Sequence, residues 1–134
     1  METPVPTTGR LVVDAAYSGP VEFRRLRALT TEGLVGAGCT RGHVDAVVLV
    51  LTELATNAFM HAHPPYRAVV ELDDNETIIE VTDHSQRLAV ARSPAFVDGG
   101  YGLQLINKIA STWGANPSRG SKTVWAAISR RQTL

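Results

Sequence analysis

The chain has a single cysteine, Cys39, which excludes an internal disulfide framework and is compatible with a reducing compartment. It has no excess of either charge, 13 Lys and Arg against 13 Asp and Glu, and so lacks the general basic surface of a nucleic-acid-binding domain. Long apolar runs are also missing. The longest, AVVLVL, falls far short of the roughly 20 residues that a membrane-spanning helix needs. The opening METPVPTTGR has no basic segment leading into an apolar one, so no secretory signal is expected. Neither repeats nor low-complexity stretches occur. The 134 residues suit one domain able to bury a core of its own. The expectation is a cytoplasmic domain that contacts neither nucleic acid nor membrane directly.

What is present has a readable order. Residues 1–9, rich in Pro and Thr, are expected to form a flexible start, and residues 10–134 a single domain. LVVDAAY suits a first strand. GPVEFRRLRALTTEGL reads as a helix, with Pro20 near its first turn and Val21, Leu26, Leu29 and Leu34 as an apolar stripe. GAGCTRG is a turn whose Thr40 can cap a second helix over 41–62. HPPY must stop that helix, because proline lacks the donor and clashes with the preceding turn. RAVVELD and ETIIEVTD form a hairpin around DNE. Residues 84–99 keep no periodicity and read as a mobile loop. GYGLQLINKIAST is a helix opened by glycines, and GSKTVWAAIS a closing strand. This order lacks the strict alternation of a doubly wound sheet. It predicts an α+β two-layer sandwich, a mixed and mainly antiparallel sheet with helices on one face.

Within the second helix, ELATNAFMHA places Glu53, Asn57 and His61 four residues apart. At 100° per residue they fall at roughly 0°, 40° and 80°, whereas Val44, Val48, Leu51, Ala55, Ala58 and Ala62 gather between about 140° and 220°. A carboxylate, an amide oxygen and an imidazole therefore share one strip of space. A solvated face of an amphipathic helix produces the same pattern. Asp83 ends a strand at VTD, where it can accept from an exocyclic amine or simply shape a turn. Gly99, Gly100 and Gly102 at a helix start let backbone N–H groups approach an anion, although glycines also make ordinary turns. The motif is neither a P-loop nor a dinucleotide-binding fingerprint. A metal enzyme using Glu53, His61 and His63 is disfavoured, since the two histidines lack the i, i+4 spacing of HExxH.

Taken in order, Glu-x-x-x-Asn, the strand-terminal Asp, the GxGL helix start and the closing GSKTVW strand resemble the GHKL (Bergerat-fold) ATPases. ELATNAFMHA, GYGLQLINKIASTWG and GSKTVW look most like the serine-kinase branch, the anti-sigma factor kinases of bacterial partner switching. The resemblance spans residues 10–130. It implies ATP and Mg²⁺ as cofactors, with Glu53 as the general base toward a seryl hydroxyl and Asn57 as the Mg²⁺ ligand. His61 matches the end of the same box and would line the phosphate side. Asp83 would accept from the adenine amine, Gly100, Gly102 and Leu103 would form the phosphate-cradling box, and Thr123 would support the adenine from the closing strand. Residues 84–99 would be the ATP lid, where Arg87 and Arg92 can meet phosphate charge or stay solvated.

The function so implied is an ATP-dependent protein serine kinase that holds a sigma factor and phosphorylates a STAS-type anti-anti-sigma protein, in a family whose members commonly form homodimers. One departure matters. Where the family reads D-x-G-x-G, this chain reads DHSQR, with Ser85 and Arg87 in place of glycines that let the backbone approach the purine. A non-catalytic protein-binding regulator of the same fold, with weak or no ATP binding, is the alternative that this departure favours. A complete sensor histidine kinase would need a dimerisation helix pair, for which the length leaves no room.

Overall fold

The computed structural model describes residues 9–84 and 101–134. In chain order the elements are β1 (Arg10–Tyr17), a 3-10 turn (Pro20–Glu22), α1 (Phe23–Gly36), α2 (Arg41–His61), β2 (His63–Leu72), β3 (Glu76–His84), α3 (Tyr101–Ile109), β4 (Thr112–Ser118) and β5 (Ser121–Ser129). The strands form one sheet in the order β1-β2-β3-β5-β4, and every pairing is antiparallel. The expected α+β two-layer sandwich is the fold observed.

Strand alternation explains which face is covered. Tyr66, Ala68, Val70 and Leu72 of β2, Ile79 and Val81 of β3, and Val124, Ala126 and Ile128 of β5 are all buried in the main core. That core also takes Phe23, Leu26 and Leu34 from α1, and Ile106 and Ile109 from α3. The residues between them point the other way, where Ile78, Trp125 and Ala127 form a separate small cluster. α2 lies at the centre of the helical layer, packed on α1, α3, β2, β3 and β5. By length and composition α2 could cross a membrane. Its apolar residues have another use here: His43, Val44, Ala46, Val47, Val50, Leu51, Leu54, Ala55 and Ala58 are buried inside the domain.

Local signals set the element ends. The Thr40 hydroxyl accepts from the His43 N–H at 3.2 Å and caps α2 as its position suggested. α2 stops at His61, just before the His63-Pro64-Pro65 segment. In the β2–β3 hairpin the Asp73 carboxylate accepts from the Asn75 and Glu76 N–H groups at 2.7 and 2.8 Å, replacing backbone partners that the turn withholds.

Two sequence expectations need correction. Val21 belongs to the 3-10 turn and is 93% exposed; the buried stripe of α1 is Phe23, Leu26, Thr30 and Leu34. The helix predicted to run to 112 ends at Ile109, and β4 follows from Thr112. Gly114 and Pro117 conceal β4 from a propensity reading, but its edge position tolerates a proline. A side chain at Gly114 would meet the Trp125 indole, since a Cβ built there lies 3.1 Å from Nε1.

Candidate functional site

The pattern of burial along α2 gives the Glu53–Asn57–His61 stripe a meaning that periodicity alone lacked. On the same angular scale Ala46 falls at about 20°, Val50 at about 60° and His43 at about 80°, and all three are buried. Of the exposed residues, Arg41, Asp45 and Phe59 lie on the far side, between about 240° and 280°, whereas Met60, at about 340°, and His61 are exposed at the end of the helix. Asn57, at about 40°, thus continues a line that is core in the first half of the helix. Asn57 therefore lies on an inward azimuth, with Glu53 at its border. Glu53 and Asn57 are half-buried and His61, at the helix end, is exposed. Neither Glu53 nor Asn57 has a side-chain hydrogen bond or ion pair among the described residues. A carboxylate and an amide that are half-buried and find no partner among the described residues are suited to an external ligand.

Asp83 is the second component. It follows Ile79 and Val81 on the core face of β3 and is 1% exposed. Opposite it in register stands Lys122 of β5, whose Nζ lies 3.2 Å from Asp83 Oδ2. Lys122 is itself buried. Apart from this ion pair, neither carboxylate oxygen has a hydrogen-bond partner among the described residues. Burial pushes the Asp83 carboxyl above the usual carboxylate range, opposed by the Lys122 ammonium and by the charges of His84 and His63. Tyr17 and Tyr66 stack with ring centroids 5.2 Å apart. Both phenols are pushed above their ordinary value, chiefly by burial, with the Asp83 charge adding to the effect. Tyr17 donates to the Ala55 carbonyl at 3.2 Å, fixing β1 to the stretch of α2 between Glu53 and Asn57.

A family model described as a histidine kinase-like ATPase domain matches residues 18–128. The chain belongs to this family. A search of curated proteins finds no match. The ligand that the family assigns to the chain is ATP, and a half-buried Glu/Asn pair beside a buried, under-coordinated carboxylate is chemistry suited to such a ligand.

The other expected site residues of this ATPase domain are placed unevenly. Gly102 and Leu103 lie in the first turn of α3, which packs on α2. Arg87, Gly100, Ser85 and nearly all of the expected lid lie outside the described residues. Thr123 does not share the face of Asp83. It stands opposite Thr82 in register, the two hydroxyl oxygens 2.9 Å apart, on the side of the sheet turned away from the helices. The β5 residue that does face Asp83 is Lys122, which the sequence analysis passed over. The strand offers no periodic signal for it: Val124 to Ile128 are apolar without a break and buried on both faces of the sheet, so alternation alone does not assign Lys122 to a face.

Proposed function

We propose that this ATPase domain is a protein serine kinase that acts as an anti-sigma factor, binding a sigma factor and phosphorylating a STAS-type anti-anti-sigma protein in the cytoplasm. The observation that supports it most directly is the setting of Glu53 and Asn57, half-buried and without a side-chain partner among the described residues, on a helix packed against the strand that carries buried Asp83. ATP would supply the phosphoryl group, and a bound Mg²⁺ would supply positive charge against its phosphate oxygens. Asn57 would hold the ion through its amide oxygen. No group of three or more His, Cys, Asp or Glu capable of holding a metal occurs among the described residues. Magnesium suits such a sparse protein set, because it usually keeps several waters and takes other ligands from substrate phosphates.

Glu53 takes the proton of the seryl hydroxyl as that oxygen bonds to the γ-phosphorus. The bond from γ-phosphorus to the bridging oxygen breaks, and ADP leaves with its electron pair. Asp83 accepts from the exocyclic amine of the base. Backbone N–H groups at the start of α3, which a helix leaves without intrahelical partners, would donate to phosphate.

A non-catalytic regulator of the same fold is the second reading, favoured by Ser85 and Arg87 in the sequence and by the ammonium that already contacts Asp83. Incubation with Mg·ATP labelled at the γ-phosphate and a STAS-type protein separates the two. Phosphoserine formation that Glu53→Gln abolishes supports the kinase. Saturable ATP binding without any transfer assigns the domain to the regulator class.

A further inference from the structure

We propose that Lys122 is a base-reading residue: together with Asp83 it forms a two-point reader for the edge of an adenine ring. Asp83 accepts from the exocyclic amine, and Lys122 donates to the adjacent ring nitrogen. The inference rests on the nucleotide reading above and adds a residue and a recognition mode to it.

The support is positional and chemical. Asp83 and Lys122 are register partners on the core face of neighbouring strands, and their charged groups are 3.2 Å apart. Their side chains are 1% and 6% exposed. A carboxylate is an acceptor only, and an ammonium a donor only. Side by side they present acceptor and donor on a spacing close to one hydrogen-bond length, which complements a ring edge bearing a donor next to an acceptor. Adenine has such an edge, with its amine beside a ring nitrogen. Asp83 is buried, and apart from the Lys122 contact its carboxylate oxygens have no hydrogen-bond partner among the described residues. It is therefore under-coordinated in a way that a ligand N–H would relieve. Lys122 does not need to leave for this to happen. An ammonium has three N–H donors, so it can serve the carboxylate and a ring nitrogen together. The threonine expected to support the base lies on the opposite face of the sheet, which leaves Lys122 as the residue of β5 placed to act beside Asp83.

Calorimetric titration with three Mg-nucleotides tests the inference on the unaltered protein. These are ATP, the 1-deaza analogue, in which the N1 read by Lys122 is replaced by C–H, and the 7-deaza analogue as a control on the other acceptor that flanks the amine, N7. The expected result is a loss of about ten-fold or more in affinity for the first analogue, in keeping with a lost charge-assisted hydrogen bond, and ATP-like affinity for the control. Lys122→Met, confirmed as folded by circular dichroism, should bind ATP and the first analogue equally weakly. Equal binding of ATP and the first analogue by the unaltered protein would overturn the role of Lys122 while leaving the ATP site intact. Tighter ATP binding by Lys122→Met would also overturn it, and would recast Lys122 as a plug in the base site. A folded protein with no saturable ATP binding would remove the nucleotide reading and this inference with it.

Discussion

Removing Lys122 tests how far burial governs the site, independently of any ligand. An exposed ion pair is worth about 0–1 kcal/mol, because water screens it. The Asp83–Lys122 pair is different: its side chains are 1% and 6% exposed, and beyond this contact the carboxylate oxygens have no hydrogen-bond partner among the described residues. Lys122→Met leaves a carboxyl desolvated and without its main countercharge, a change that costs about 3–5 kcal/mol. The loss must depend on pH. Burial already raises the folded-state pKa of Asp83, and loss of the ammonium raises it further. The folded variant then holds a proton that the unfolded chain releases. Its stability is greatest below the ordinary carboxylate pKa of about 3.9 and falls as pH rises through the raised folded value, by at most about 1.4 kcal/mol per pH unit. The double variant Asp83→Leu/Lys122→Met removes both charges and should recover most of the loss, since apolar replacements of buried pairs are often neutral or stabilising. Urea unfolding followed by far-UV circular dichroism at pH 5 and pH 7, with no nucleotide present, measures all three proteins. A Lys122→Met variant within about 0.5 kcal/mol of the parent at pH 7 would refute the burial argument. So would a double variant that loses the full sum of the singles.

Three further outcomes are expected. Asn57→Ala should remove Mg²⁺-dependent nucleotide binding, whereas Glu53→Ala should retain nucleotide and slow phosphoryl transfer by about 10²–10⁴-fold, as expected for loss of a general base; single-turnover transfer with unchanged speed would take Glu53 out of the mechanism. His43 is fully buried, its Nε2 lies 2.8 Å from the Thr77 hydroxyl, and desolvation lowers its pKa. The unfolded chain therefore binds a proton near pH 6.5 that the folded state refuses, and stability should fall as pH drops below that value. Comparison of pH–stability curves for the parent and His43→Leu checks this, and identical slopes between pH 7 and pH 5 would contradict it. Thr40→Ala should cost about 1 kcal/mol through loss of the α2 cap, read as a lowered urea midpoint at constant m-value.

The reach of the sequence followed from how locally each feature is encoded. Thr40, the prolines after His61 and the Asp73 turn act within a few residues of themselves, so the ends of α2 and the β2–β3 hairpin were legible without a fold. Propensity failed at β4. Gly114 and Pro117 disfavour a strand, and the glycine is explained only by Trp125 of a neighbouring strand packing over it.

The site divided along the same line. Sequence by itself determined that Glu53 and Asn57 project together, because a helix repeats its direction nearly every four residues, and that Asp83 closes a strand of inward apolar residues. Whether the α2 stripe faces solvent or the domain interior was beyond it, since an azimuth has meaning only relative to the elements packed around the helix. Tertiary structure supplied that reference through β3 and α3. It also decided which residue of β5 confronts Asp83. Motif matching had selected Thr123, but antiparallel register allows one partner per position and alternates faces at every step. A displacement of one residue therefore exchanges a hydroxyl on the far side of the sheet for a buried ammonium 3.2 Å from the carboxylate.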